Sequence, residues 1–301
     1  MELYNIVEQQ RNNMNISDAL KMYYLSDSDM EVCSYVSSKL PYINFDSIVS
    51  GNKISLDLLM EFSVNEMSVF GKDIYLILSD LISDISVRCD TTRIDDFTTF
   101  VGYDVLADGN VIQDSGKAYE YVIPSQLYEL SIYLLCHEHV HSLKDTNYTE
   151  YQSGMILGEV LPIFYELLIY TPRDILKKEL IKIRMNNMIR AKKEYLEFDF
   201  YARRSSKYDN MFESKCGIVS DETKIYEFVR SRLGCYLNSF YYAVILYKMY
   251  KETPKKILDL VTKVLKHEMT TLQMLESLGL YGDIRGEIFE KEMKNIRRFI
   301  K

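Results

Sequence analysis

Apolar residues recur at spacings of three and four over most of this chain, a period that predicts amphipathic helices rather than strands. Only 5 Pro and 12 Gly interrupt it in 301 residues, so the expected fold class is mainly α. The pattern places helices over residues 17–24, 56–70 and 73–87, which together form an N-terminal packing layer. Longer helices are expected over 173–201, 224–250, 255–277 and 283–299. Thr171-Pro172 and Thr253-Pro254 mark two of the starts, with Thr as the cap and Pro in the first turn, where no N–H is needed.

One stretch breaks the helical period. Thr98-Thr99-Phe100-Val101-Gly102-Tyr103 and Ala118-Tyr119-Glu120-Tyr121-Val122-Ile123 are rich in β-branched and aromatic residues, and Asp108-Gly109-Asn110 between them is a turn signal, so a small β-hairpin is expected there. Pro124 ends the second strand. Ser125 then caps a helix running to about Lys144, with Leu127, Leu130, Leu134 and Leu135 on its buried side, and another helix follows over 154–170. The expected organisation is an N-terminal helical packing region, 1–97, continuous in one globular unit with a region, 98–301, that carries the chemistry.

That chemistry is signalled by His137-Glu138-His139-Val140-His141, which holds three of the four histidines in the chain. Residues four apart share a helix face, so His137 and His141 can present ring nitrogens to one ion, with Glu138 beside them. A zinc ion would lower the pKa of a bound water to about 7, within reach of a carboxylate base, and Glu138 has the place for that role. Catalytic zinc takes three protein ligands, and the third candidate is Glu159, a lone carboxylate in the apolar run Gly158-Glu159-Val160-Leu161-Pro162-Ile163-Phe164-Tyr165-Glu166. Glu166, two turns on, is the alternative ligand or else the acceptor that orients a ligand histidine, a job also open to Asp145. His139 points away from the ion. Cys136 reads as core, and His267 reads as exposed or structural, with oxyanion stabilisation or substrate contact as its functional alternative.

Composition narrows the partners. Acidic residues outnumber basic ones, 44 to 36, and the basic ones are scattered, which argues against a nucleic-acid surface or an anionic membrane. No run of about 18 uncharged apolar residues and no signal segment is visible, so a cytoplasmic location is expected. Five cysteines without close spacing fit reduced, buried thiols. The sequence does not indicate an oligomeric state.

The run from His137 to His141, followed by Glu159 and Glu166, resembles the zinc oligopeptidases typified by oligoendopeptidase F and thimet oligopeptidase, in which an HExxH helix precedes a second helix with a ligand Glu and another Glu seven residues later. The likeness covers about 98–301. It implies one zinc ion held by His137, His141 and Glu159, Glu138 as base, and peptide substrates. It also implies a hydroxyl on a later helix that donates to the oxyanion, for which Tyr241 is the closest match in Ser239-Phe240-Tyr241-Tyr242-Ala243 and Tyr242 the next. The chain departs from that family in its shorter interval before Glu159, in Val140 where Gly is usual, in an incomplete later Tyr pattern and in its length. The function expected is hydrolysis of short or unfolded peptides. Its rivals are a non-hydrolytic relative that binds peptides or proteins and a helical interaction protein with a chance HExxH.

Overall fold

The computed structural model describes residues 23–42, 155–168, 174–202 and 222–301, the backbone of 98–105 and 111–122, and six helical positions between 133 and 144. The helices expected over 56–70 and 73–87, and nearly all of that over 17–24, lie outside the described residues.

Mainly helical describes what is seen. Among the described residues, seven helices have defined bounds: α1 (Asp27–Lys39), α2 (Val160–Leu168), α3 (Asp174–Ala202), α4 (Glu222–Glu252), α5 (Pro254–Leu265), α6 (Thr271–Ser277) and α7 (Gly286–Ile300). Tyr133, Cys136, His137, Val140, His141 and Lys144 are also helical and are called here the histidine helix. Two extended backbone segments, Thr98–Val105 and Val111–Val122, run antiparallel with register shifts after Val101 and Asp104.

α4 is the spine of the helical body, and α1, α2, α3, α5 and α7 all pack against it. From Leu237 to Leu246 every residue of α4 is buried, polar Asn238 and Ser239 included. A helix apolar all round has to lie inside the core. Its side-chain donors find backbone acceptors: Asn238 Nδ2 donates to the Asp29 carbonyl at 2.9 Å, and Ser239 Oγ donates to the Ile156 carbonyl at 3.1 Å. Where α1 meets α4, Gly234 leaves room that a Cβ would not have, since such an atom would lie 2.7 Å from Leu25 Cδ1.

Helix ends explain where the sequence reading and the structure part. α1 was not expected, yet Ser26 caps it in a reciprocal box with Asp29, the Asp29 N–H meeting Ser26 Oγ at 3.3 Å and the Ser26 N–H meeting the Asp29 carboxylate at 3.0 Å. The single helix expected over 255–277 is two helices. Thr270 and Gln273 form a second capping box that restarts the chain as α6, and His267 in the intervening turn takes a left-handed φ of 61°. Thr253 does not cap α5 with its side chain; its hydroxyl instead donates to the Met249 carbonyl at the end of α4. α6 closes on Gly279, at φ 62°, with Leu280 N–H returning to the Leu275 carbonyl at 2.9 Å, a turn that the absence of a Cβ permits.

Cys33, Cys136 and Cys235 are buried, and burial pushes the Cys33 thiol up to about 12. Cys89 and Cys216 lie outside the described residues.

Candidate metal centre

Two elements converge to build the site. The histidine helix supplies His137 and His141, four residues apart, whose rings meet edge to face at 4.8 Å between centroids. The second element is the start of α2. The expected helix over 154–170 begins as a 3-10 turn, Met155–Leu157, and becomes α-helical at Val160, so Glu159 occupies the cap position, its carbonyl accepting from the Ile163 N–H at 3.0 Å. All nine residues of α2 are buried, which fixes the helix, and with it Glu159 at its head and Glu166 two turns on.

The donor atoms face one point. His137 Nε2 and His141 Nε2 are 3.2 Å apart, and the Glu159 oxygens lie 3.3 Å from the first and 3.4 Å from the second. Ligand bonds of about 2.0–2.2 Å at the tetrahedral angle require donor atoms about 3.3–3.6 Å apart, so the three edges fit a metal ion within the spread of real sites. Chemistry points the same way. Two imidazole nitrogens and a carboxylate, with side chains 8%, 13% and 18% exposed, form a cluster rich in lone pairs that only a proton or a metal ion can satisfy. His137, His141 and Glu159 can therefore hold a metal ion together.

Glu166 meets the other edge of the same ring. Its Oε1 lies 2.7 Å from His137 Nδ1 but off the ring N–H axis, a close charge contact rather than a well-aligned hydrogen bond. Facing Nδ1, it cannot join Nε2 around one ion. Glu166 is itself gripped by Arg184 from α3, with Nε donating to Oε2 at 2.8 Å and the second nitrogen donating to Oε1.

These contacts set the charges. Burial alone pushes His137 down, but Glu159 and Glu166 outweigh it and raise the ring to about 9. Glu159 is driven up by burial and then well below its ordinary value by the His141 and His137 rings. Glu166 is likewise pushed up by burial and brought below its ordinary value, first by Arg184 and then by His137. A histidine raised on folding stabilises fully below its ordinary value of 6.5 and loses that contribution as pH climbs through about 9. Carboxylates lowered on folding stabilise above 4.5 and lose the contribution as pH falls. Chelated protein is thus expected to show its highest thermal midpoint between about pH 5 and 6.5, with losses on both sides. Metal should remove the alkaline loss by replacing the proton. Thermal unfolding across pH with chelator and with added zinc checks this; an alkaline limb indifferent to metal would count against the shared site.

The tyrosines expected to serve the site are engaged elsewhere. Tyr241 and Tyr242 are fully buried in α4 and hold the loop before α7: the Tyr241 hydroxyl accepts from the Arg285 N–H and donates to the Asp283 carbonyl at 3.4 Å, and the Tyr242 hydroxyl accepts from the Gly282 N–H at 3.2 Å. The α4 tyrosine that does feel the cluster is Tyr236, half-buried, whose phenol is raised first by the Glu159 charge and then by burial. Exposed His267 lies in the turn between α5 and α6 and is not part of the cluster. Glu138, His139 and Asp145 lie outside the described residues.

Sequence reasoning missed Arg184 and Tyr236. Arg184 had a signal: it falls within the stripe Leu180, Ile181, Met185, Met188 of α3, where a charge needs a buried partner. Tyr236 had none among 25 tyrosines.

Comparison of the chain with family models, curated proteins and solved structures found no match in any of the three.

Proposed function

We propose that this chain is a zinc-dependent peptidase that hydrolyses short or unfolded peptides. The observation that carries the reading is the convergence of His137 Nε2, His141 Nε2 and the Glu159 carboxylate at separations of 3.2–3.4 Å, the two histidines coming from a helix whose sequence reads His-Glu-x-x-His. Zinc bound there would polarise a substrate carbonyl and acidify a water.

The chain's own residues supply the rest. Glu138 follows the first ligand in sequence and is assigned the proton from the attacking water, which it returns to the leaving amine. Glu159 and the two rings bring a net single negative charge to the ion, so the centre keeps its electrophilic character. Glu166 keeps the Nδ1 side of His137 facing a carboxylate, directing Nε2 toward the ion. For the oxyanion donor, the coupling of Tyr236 to Glu159 supports Tyr236 over Tyr241 and Tyr242, whose hydroxyls already serve the loop at 282–285. The strand over 111–122 precedes the site in sequence and is offered as the edge along which an extended peptide pairs. Loss of the Tyr236 hydroxyl in Tyr236→Phe is expected to lower kcat by about 10²-fold with zinc content unchanged. An equal loss in Tyr241→Phe instead would return the role to that residue.

The test of the reading joins two measurements on the whole chain purified without chelators: zinc content after reconstitution and cleavage of a quenched peptide library. About one zinc per chain together with cleavage is the expected result. Absence of tight zinc binding removes the reading. The engagement of Tyr241 and Tyr242 favours, as second reading, a metal-bound protein that binds peptides without cleaving them; zinc without cleavage, and peptide retained, is its signature.

A further inference from the structure

The charge most deeply committed to the site comes from a helix that carries no ligand. Arg184 projects from the apolar stripe of α3, and its planar fork takes both oxygens of Glu166, which is 2% exposed. Glu166 Oε1, held by one arm of that fork, is the oxygen that touches His137 Nδ1 at 2.7 Å. Opposite this edge of the ring is Nε2, which faces His141 and Glu159. We infer that Arg184 is a positioning residue for the metal site: by locking the plane of the Glu166 carboxylate it fixes the His137 ring and the direction in which Nε2 offers its lone pair. The inference rests on the metal-site reading and extends it to a third helix.

Geometry makes the fork matter beyond its charge. A free carboxylate can rotate about its terminal bond, and either oxygen could then drift from the ring. Two parallel N–H contacts remove that rotation, which a lysine ammonium cannot do with its single point of contact. Oε1 approaches the ring off the N–H axis, so the 2.7 Å contact can hold the ring only as firmly as the Glu166 carboxylate is itself held, and Arg184 supplies that hold. Leu167, Leu180, Ile181, Met185, Phe240 and Ile296 line a small cavity beside the pair, so its immediate surroundings are largely apolar.

The experiment is a double-mutant cycle read by Co²⁺ affinity and by the d–d absorption of bound Co²⁺, in the full chain, with circular dichroism as the fold check. Arg184→Met is expected to weaken Co²⁺ binding by about 10- to 100-fold and to alter the band, the range for groups that orient ligands from outside. In a Glu166→Gln background the same substitution should cost no more than about 2-fold, because the route through Glu166 is already cut. Arg184→Lys keeps the charge and gives up the fork, with an expected loss of about 3- to 10-fold; it carries the test if Arg184→Met does not fold. Equal Co²⁺ affinity in wild type, Arg184→Met and Arg184→Lys overturns the inference, and so does a loss of the same size in both backgrounds. A wild-type chain that binds no Co²⁺ is a different result: there the metal-site reading fails first.

Discussion

Glu138→Gln should keep its zinc and lose turnover by about 10²- to 10⁴-fold, the range in which a positioned general base contributes. The amide has nearly the shape of the carboxylate but no basic oxygen able to take a proton from water near neutral pH. His137 and His141, four residues apart with Nε2 atoms 3.2 Å from each other, can hold an ion without it. Zinc content measured beside cleavage of a quenched peptide library separates the two effects. Equal cleavage by wild type and variant would sink the proposed mechanism, while loss of both zinc and activity would make Glu138 a determinant of the site's structure rather than its base.

The second large effect separates the two glutamates. Glu159→Ala removes a donor that faces both Nε2 atoms at 3.3 and 3.4 Å. Structural zinc sites bind with about 10–16 kcal/mol over four ligands, so about 2.5–4 kcal/mol each, and zinc affinity should fall by about 10²- to 10³-fold. Glu166→Ala removes a group that faces Nδ1 and should cost about 10- to 100-fold in affinity. It also leaves Arg184 charged and unpaired in a buried place, so the protein itself should lose about 3–5 kcal/mol of stability, a penalty that Glu159→Ala does not carry. Competitive zinc titration and chemical denaturation of both variants give all four numbers. If Glu166→Ala loses the metal and Glu159→Ala keeps it, the ligand is Glu166.

Much of the site was legible before any fold was known, because its parts are local. Two histidines one turn apart need only a helix to converge, and a lone carboxylate in an apolar run has to answer to something. That logic led to Glu159 and Glu166 alike but could not divide their roles. Which edge of the His137 ring each one meets depends on how α2 crosses the histidine helix, and no spacing along the chain encodes a crossing. Arg184 was half legible, as a charge in a buried stripe whose partner is 18 residues away. Tyr236 was not legible at all, since nothing along the chain sets it apart from the other phenols, and its link to the cluster is the Glu159 charge that raises it. Helix boundaries failed for a different reason. Thr270-Thr271-Leu272-Gln273 carries a capping box that an unbroken apolar period conceals, and only the left-handed turn at His267 reveals that the box is used.

The full burial of α2 has a bearing on how this protein can change over time. Glu159 at its head and Glu166 near its end are set by the same nine residues that fill the core, so a methyl added or lost at Ile163 or Phe164 translates the site as it repacks the interior. Drift in the core and drift in the centre are then one process. Lineages descended from this chain should vary at the rim of the site long before they vary between its two glutamates, and efforts to alter specificity by selection should draw their successes from the rim.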